Sequence, residues 1–310
     1  MPFAKSGDAS LYYKDVGEGP PILTTHGAME NTLYWSLPGV TDRLVKAGYR
    51  VISTDMRGHG RTRAAEGYDA ETIADDFAVV ADHLGLDRFH LLTHATGGMA
   101  GIDFAIRHSG RLLSLISTDT GSATAADPHI AKTAKVGDRY ERLVPPDQPV
   151  VQDIIASQKA RDLSKPLALP RIPLPDHVFL NSLHTSVHPE AAYSQLECVF
   201  GACRPEEIIA FVSSFYDNPD PRIEGLRRIT CPSLILYGEH DVLFVEASEL
   251  MAREIPDARR IVMKGRGHMT ALEDPEGLAA HLIGFLEGLE NGVGPQRILD
   301  HERSALRDGF

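Results

Sequence analysis

Leu91-Leu92-Thr93-His94-Ala95-Thr96-Gly97-Gly98 is the stretch on which the reading of this chain turns. Arg88 to Thr93 is a short apolar run of the kind that forms a buried strand, and a helix rich in small residues leaves it at once. A strand that turns this sharply into a helix lifts one side chain above the sheet edge, at the helix N-terminus. Small residues two before and two after that side chain permit the close approach. The register puts Thr93 and Gly97 at the flanks and Ala95 at the crest. Chemistry at such a crest needs a nucleophile, and a methyl group cannot attack a carbonyl.

Working outward, strand-like and helix-like stretches alternate, which is the mark of a mostly parallel sheet flanked by helices. Leu11 to Lys14, Ile22 to Thr25, Tyr49 to Thr54, Leu113 to Ser117, Ser233 to Tyr237 and Arg260 to Lys264 read as the other strands. Asp69 to Leu84 reads as a helix with Ile73, Phe77, Val80 and Leu84 on one face and Gly85 to close it. Further helices are expected at about 245–256 and 275–289. Between 121 and 225 the rhythm changes: Pro145, Pro146, Pro166, Pro170, Pro173, Pro175 and Pro189 interrupt it, among short helical pieces such as Glu206 to Tyr216. That is too long for a loop. It reads as a mostly helical cap inserted into a core made of 1–120 and 226–290, with a polar arm at 291–310.

The chain has 310 residues, 43 acidic against 31 basic, and a formal charge of −12. That balance argues against nucleic acid and anionic membrane surfaces as partners. No apolar run is long enough to span a bilayer. Three cysteines, none in a Cys-x-x-Cys, suit a reducing cytoplasm, and Cys198 and Cys203 are expected as buried thiols. No phosphate loop or dinucleotide fingerprint appears, so no cofactor is expected. His184 and His188 have the spacing of a zinc pair, but no Glu stands beside His184 and Pro189 follows directly, so no metal is expected either.

With these motifs in order, the chain resembles the α/β-hydrolase superfamily over nearly its whole length. His26-Gly27-Ala28 looks like the oxyanion segment, and Asp55 to Thr62 (Asp-Met-Arg-Gly-His-Gly-Arg-Thr) looks like the turn that follows the next strand. Leu236 to Asp241 looks like the strand end that carries the acid, and Gly265-Arg266-Gly267-His268-Met269 like the loop that carries the histidine. The resemblance implies a nucleophile–acid–histidine order filled by Ala95, Asp241 and His268. His268 would move the nucleophile's proton, and Asp241 would fix its tautomer. The backbone N–H groups of Ala28 and Thr96 would hold the oxyanion. Asp119, at the end of the strand before the cap, is a rival acid. Arg57 and His59 are expected to brace the turn, and His94 to pack beneath the elbow. Met29, Trp35 and Met269 are expected to line an apolar pocket, with Tyr140, Phe179, Leu183 and Phe200 contributing from the cap.

Thr96-Gly97-Gly98 looks like the Ser-x-Gly-Gly of esterases, lactonases and cofactor-free haloperoxidase-like hydrolases. The implied parent activity is hydrolysis of a small, partly hydrophobic carboxylic ester or lactone, in a form inactivated by alanine where serine is expected. Two other accounts stay open: a binding or sensing protein with native alanine, and a cofactor-free dioxygenase or lyase that relies on the His–Asp pair. Aspartate-nucleophile relatives stay open on Ala95 alone. A homodimer is one possible assembly.

Overall fold

The computed structural model describes residues 2–292, so the arm expected from residue 291 lies almost wholly outside the described residues. Eight strands form one sheet: β1 (Phe3–Ser6), β2 (Ala9–Val16), β3 (Pro21–Thr24), β4 (Arg50–Thr54), β5 (Phe89–His94), β6 (Leu112–Thr118), and, after a small hairpin of β7 (Lys135–Val136) and β8 (Arg139–Tyr140), β9 (Ser233–Gly238) and β10 (Ala258–Met263). Their order across the sheet is β1-β2-β4-β3-β5-β6-β9-β10. The pairs β1/β2 and β2/β4 are antiparallel, and every other pair in this sheet is parallel. β1 escaped the sequence reading because its four residues, Phe-Ala-Lys-Ser, carry little β signal of their own.

Parallel strands are covered on both faces, so alternate residues feed two cores. Leu23, Ile52, Leu91, Leu115 and Ile235 point into one, and Ile22, Val51, Leu92, Ile116 and Leu234 into the other. Three helices cover the first face: α2 (Ala70–His83), α3 (Ala95–His108) and α7 (Val245–Glu254). The other is covered by α1 (Val40–Lys46) and α8 (Pro275–Glu290). α2 starts where the Asp69 carboxylate accepts the Thr72 N–H at 2.8 Å, a side-chain N-cap.

Residues 121–225 carry α4 (Pro149–Lys159), α5 (Pro189–Gly201) and α6 (Pro205–Phe215). The sequence reading took Pro189 as an interruption. In the structure Pro149, Pro189 and Pro205 each open a helix, where a missing N–H costs nothing. α4 packs on α6, and α5 packs near the loop that follows β10. The junction between α5 and α6 is tied to the core. Asn31 Nδ2 donates to Val199 O at 3.0 Å, Cys203 Sγ to Met29 O at 2.6 Å, and the Arg204 guanidinium to Gly60 O and Thr62 O. Cys203 is thus buried as expected, whereas Cys198 is exposed on the outer face of α5, a correction that its helical position explains. Among the described residues no helix is long and apolar enough to cross a membrane.

Candidate active site

β5 runs into α3 with no intervening loop, and Ala95 takes φ 46° at the junction. A non-glycine residue rarely holds this left-handed conformation. The surroundings enforce it. Gly97 N–H donates to His26 O at 3.1 Å, and a Cβ on Gly97 would stand 2.3 Å from that carbonyl. A Cβ on Gly98 would meet the Thr120 side chain at 2.5 Å. These two contacts explain why small residues follow the crest.

His268 follows β10 and Asp241 follows β9, so both side chains arrive from neighbouring strand ends. His268 Nδ1 lies 3.0 Å from Asp241 Oδ2, and the other carboxylate oxygen accepts the Leu243 N–H at 3.0 Å. The His268 ring is held among Phe179, Phe244 and His94, with centroid distances of 5.4, 5.5 and 5.0 Å. The rival acid, Asp119, is spoken for elsewhere: it accepts Gly238 N–H at 2.9 Å and Thr270 Oγ1–H at 2.5 Å, and its Oδ2 lies 3.6 Å from His94 Nδ1.

The segment His26 to Met29 rests on two histidines. His26 Nδ1–H donates to Gly27 O at 2.8 Å while its Nε2 accepts Met56 N–H; His59 Nδ1–H donates to Arg57 O while its Nε2 accepts Met29 N–H at 3.2 Å. Burial pushes their pKa values down to about 4 and about 3, so both are neutral and can donate and accept at once. Arg57 braces the turn through a two-pronged pair with Asp76. Asp55 accepts the N–H groups of Thr32 and Arg61, each at 2.7 Å.

Three carboxylates beneath the site were missed by sequence reasoning, or only half seen. Glu30 accepts Gly27 N–H at 2.6 Å, and its other oxygen lies 3.3 Å from His94 Nε2. His94 therefore sits between Glu30 and Asp119. Burial opposes its charge, but the two carboxylates win and raise it to about 10. Glu273 accepts Gly267 N–H at 2.6 Å and Met269 N–H at 3.1 Å, the two amides that flank His268. Burial lifts its carboxyl to about 7 against those donors. The available signal was a glutamate five residues beyond His268, before a helix-opening proline.

Ala28, Met29, Ala95, Thr96, His268 and Met269 line one small cavity of about 20 Å³. Thr96 Oγ1 is hydrogen-bonded there to the buried Tyr216 hydroxyl at 2.5 Å, a partner that nothing in the sequence pattern announces. Met29, Val150, Ile154, Phe179 and Phe200 are shared with a vestibule of about 660 Å³ between α4, α5 and the segment after α4. Trp35 lines neither cavity, a correction to the expectation. Its Nε1–H is used inside the core on Thr25 O at 3.0 Å, and its ring packs edge-on against Tyr34 and His94. Leu183 is buried in the second core, and Tyr140 borders a separate cavity beside Leu243 and Phe244. His184 lies in a short 3-10 turn and His188 precedes α5, so they do not share a helix face.

The model of the α/β hydrolase fold family matches residues 20–275. The chain belongs to this family. It is 27% identical to a non-heme haloperoxidase of Rhodococcus erythropolis, over 93% of this chain and all of that protein. Among solved structures it is similar to a carboxylesterase of Nitrososphaera gargenis (TM-score 0.74, 21% identity, 94% of this chain and 100% of the other). It is similar also to an esterase from Exiguobacterium antarcticum (TM-score 0.71, 23% identity, 92% and 98%). In this α/β-hydrolase-fold chain the histidine and acid stand as a hydrogen-bonded pair beside an elbow whose crest residue is alanine.

Proposed function

We propose that the site is that of a hydrolase for small, partly hydrophobic carboxylic esters or lactones. Ala95 stands where a serine would complete a triad with His268 and Asp241, and Ala28 and Thr96 supply the oxyanion N–H groups. Residues 121–225 serve as the cap that selects the substrate. The observation that carries this reading is the strained Ala95 itself. Its φ of 46° has a cost and no benefit for a methyl group, yet it aims Cβ into the cavity that His268 lines. The esterases among the similar structures fit the same reading.

The chemistry follows from the geometry. A hydroxyl on Cβ would attack the carbonyl carbon, and His268 Nε2 would take its proton and return it to the leaving alcohol. Water would then release the acid by the same steps. Asp241 on Nδ1 leaves Nε2 free to accept. With Ala95 in place the first bond cannot form. Loss of the serine in comparable triads lowers kcat by ~10⁶, whereas ligand binding survives because the pocket lacks only an oxygen.

The test is a paired assay of this chain and Ala95→Ser on p-nitrophenyl esters and lactones, with His268→Ala added to the serine form as control. Hydrolysis by Ala95→Ser that disappears with His268→Ala is expected, as is labelling by a fluorophosphonate. No hydrolysis and no labelling would overturn the reading in favour of a binding protein. Turnover by the unaltered chain that needs His268 would favour the dioxygenase or lyase account.

A further inference from the structure

Gln158 on α4 is 9% exposed and lines the vestibule. Its Nε2 reaches only Met29 Sδ, at 3.5 Å, and a thioether is a weak acceptor. Its Oε1 is buried and has no hydrogen-bond partner. The other buried glutamine of this region shows the usual arrangement: Gln148 Oε1 accepts Ala126 N–H at 2.9 Å, and its Nε2 donates to Tyr216 O at 2.5 Å. A desolvated amide oxygen left bare is an uncommon feature that asks for a donor. Its position says where the donor would come from. Met29 directly follows Ala28 and lines both cavities, so Gln158 lies in the vestibule wall against the side chain that the vestibule shares with the cavity at Ala95.

We propose that Gln158 Oε1 receives a hydrogen bond from the ligand. This rests on the ester or lactone reading of the site, and it narrows the class. The molecule is a neutral ester or lactone with an N–H or O–H donor near the reacting carbonyl and an apolar tail against Val150, Ile154, Phe179 and Phe200. An ionised carboxylate at that point has no proton to give and would face the amide oxygen.

Calorimetric titration of the unaltered chain with three matched probes tests this: N-hexanoylglycine methyl ester, its N-methyl counterpart, and the counterpart with ester oxygen in place of the N–H. The first is expected to bind about tenfold more tightly than either of the others, the effect of one buried hydrogen bond. Gln158→Met, which keeps the volume and removes the acceptor, is expected to abolish the preference while leaving the affinity for the N-methyl probe. Equal affinities in the unaltered chain, a preference that survives in Gln158→Met, or binding of none of the probes would each overturn the proposal. The probe comparison in the unaltered chain needs no variant to fold. Turnover by Ala95→Ser separates the two readings: donor-selective binding with no turnover sinks the hydrolase reading alone, and turnover of all three probes with equal kcat/KM sinks the Gln158 proposal alone.

Discussion

His94 directly precedes the strained Ala95 and holds two carboxylates, Glu30 at 3.3 Å and Asp119 at 3.6 Å, all three fully or almost fully buried. Each carboxylate also fixes a loop of the site: Glu30 takes the Gly27 N–H beside Ala28, and Asp119 takes the Gly238 N–H that precedes the acid loop. The His94 ring therefore bridges the loop at Gly27 and the end of β9 at Gly238 under the elbow. Replacing it by an apolar residue removes the partner that two buried carboxylates share, so His94→Leu is expected to lose about 3–5 kcal/mol of stability in urea unfolding at neutral pH. The pH dependence has a definite sign. His94 is raised from 6.5 to about 10 on folding, so its contribution is complete below about pH 6.5 and is lost as pH climbs toward 10. The stability of the unaltered chain should fall over that window by an amount that His94→Leu no longer shows. An imidazole that titrates below pH 7 in an NMR experiment would sink this account.

The element on which everything hangs is the junction of β5 and α3. Its legibility in the sequence came from steric necessity: Gly97 and Gly98 stand where a Cβ would strike the His26 carbonyl and Thr120. Gly97→Ala is accordingly expected to destabilise the protein by about 1–3 kcal/mol, the range for overpacking, because a backbone carbonyl cannot rotate away. Gly284 makes the control. It lies within α8 with nothing within 4 Å of an added Cβ, so Gly284→Ala should stabilise by about 0.5–1 kcal/mol. Opposite shifts in thermal midpoint check the pair. Strand-end motifs were readable for the same reason: Asp241 and His268 occupy short loops after β9 and β10, where the local pattern dictates the position. Trp35 lies away from the cavity although Ala28, Met29 and Glu30 shortly before it in sequence do line it, because its own indole N–H is claimed by Thr25 O. Glu30, Glu273 and Tyr216 stayed hidden because their partners come from distant segments, and no local periodicity encodes a contact of that range.

At the scale of the molecule, the core was legible, and in 121–225 the helical character was legible, as at Glu206 to Tyr216, but the packing was not. The core repeats strand and helix, whereas the α4–α6 region joins it through contacts between segments far apart in sequence, with Phe211 and Phe215 buried in the first core, Leu196 in the second, and Asn31 bonded to Val199 O. The vestibule that this region forms has an uneven charge. Asp153, Asp162 and Asp176 line it against Arg161 and Lys165. Lys165 pairs with Asp162 at 3.0 Å, and Arg161 donates to the carbonyls of Phe200 and Cys203. Asp153 and Asp176 then outweigh the remaining Arg161 by one negative charge at a ligand's outer end, on a chain whose formal charge is already −12. A tail tipped with a carboxylate should therefore bind the unaltered chain a few-fold more weakly than its neutral isostere, the size expected for exposed charges. The gap should narrow between 10 mM and 300 mM salt, as screening shortens the Debye length from ~30 Å to below ~10 Å. Asp153→Asn combined with Asp176→Asn should erase it at low salt without changing the affinity of the neutral ligand. A discrimination that ignores salt and survives the double variant would mean that the tail never reaches this rim, and that the ligand enters the site by another face.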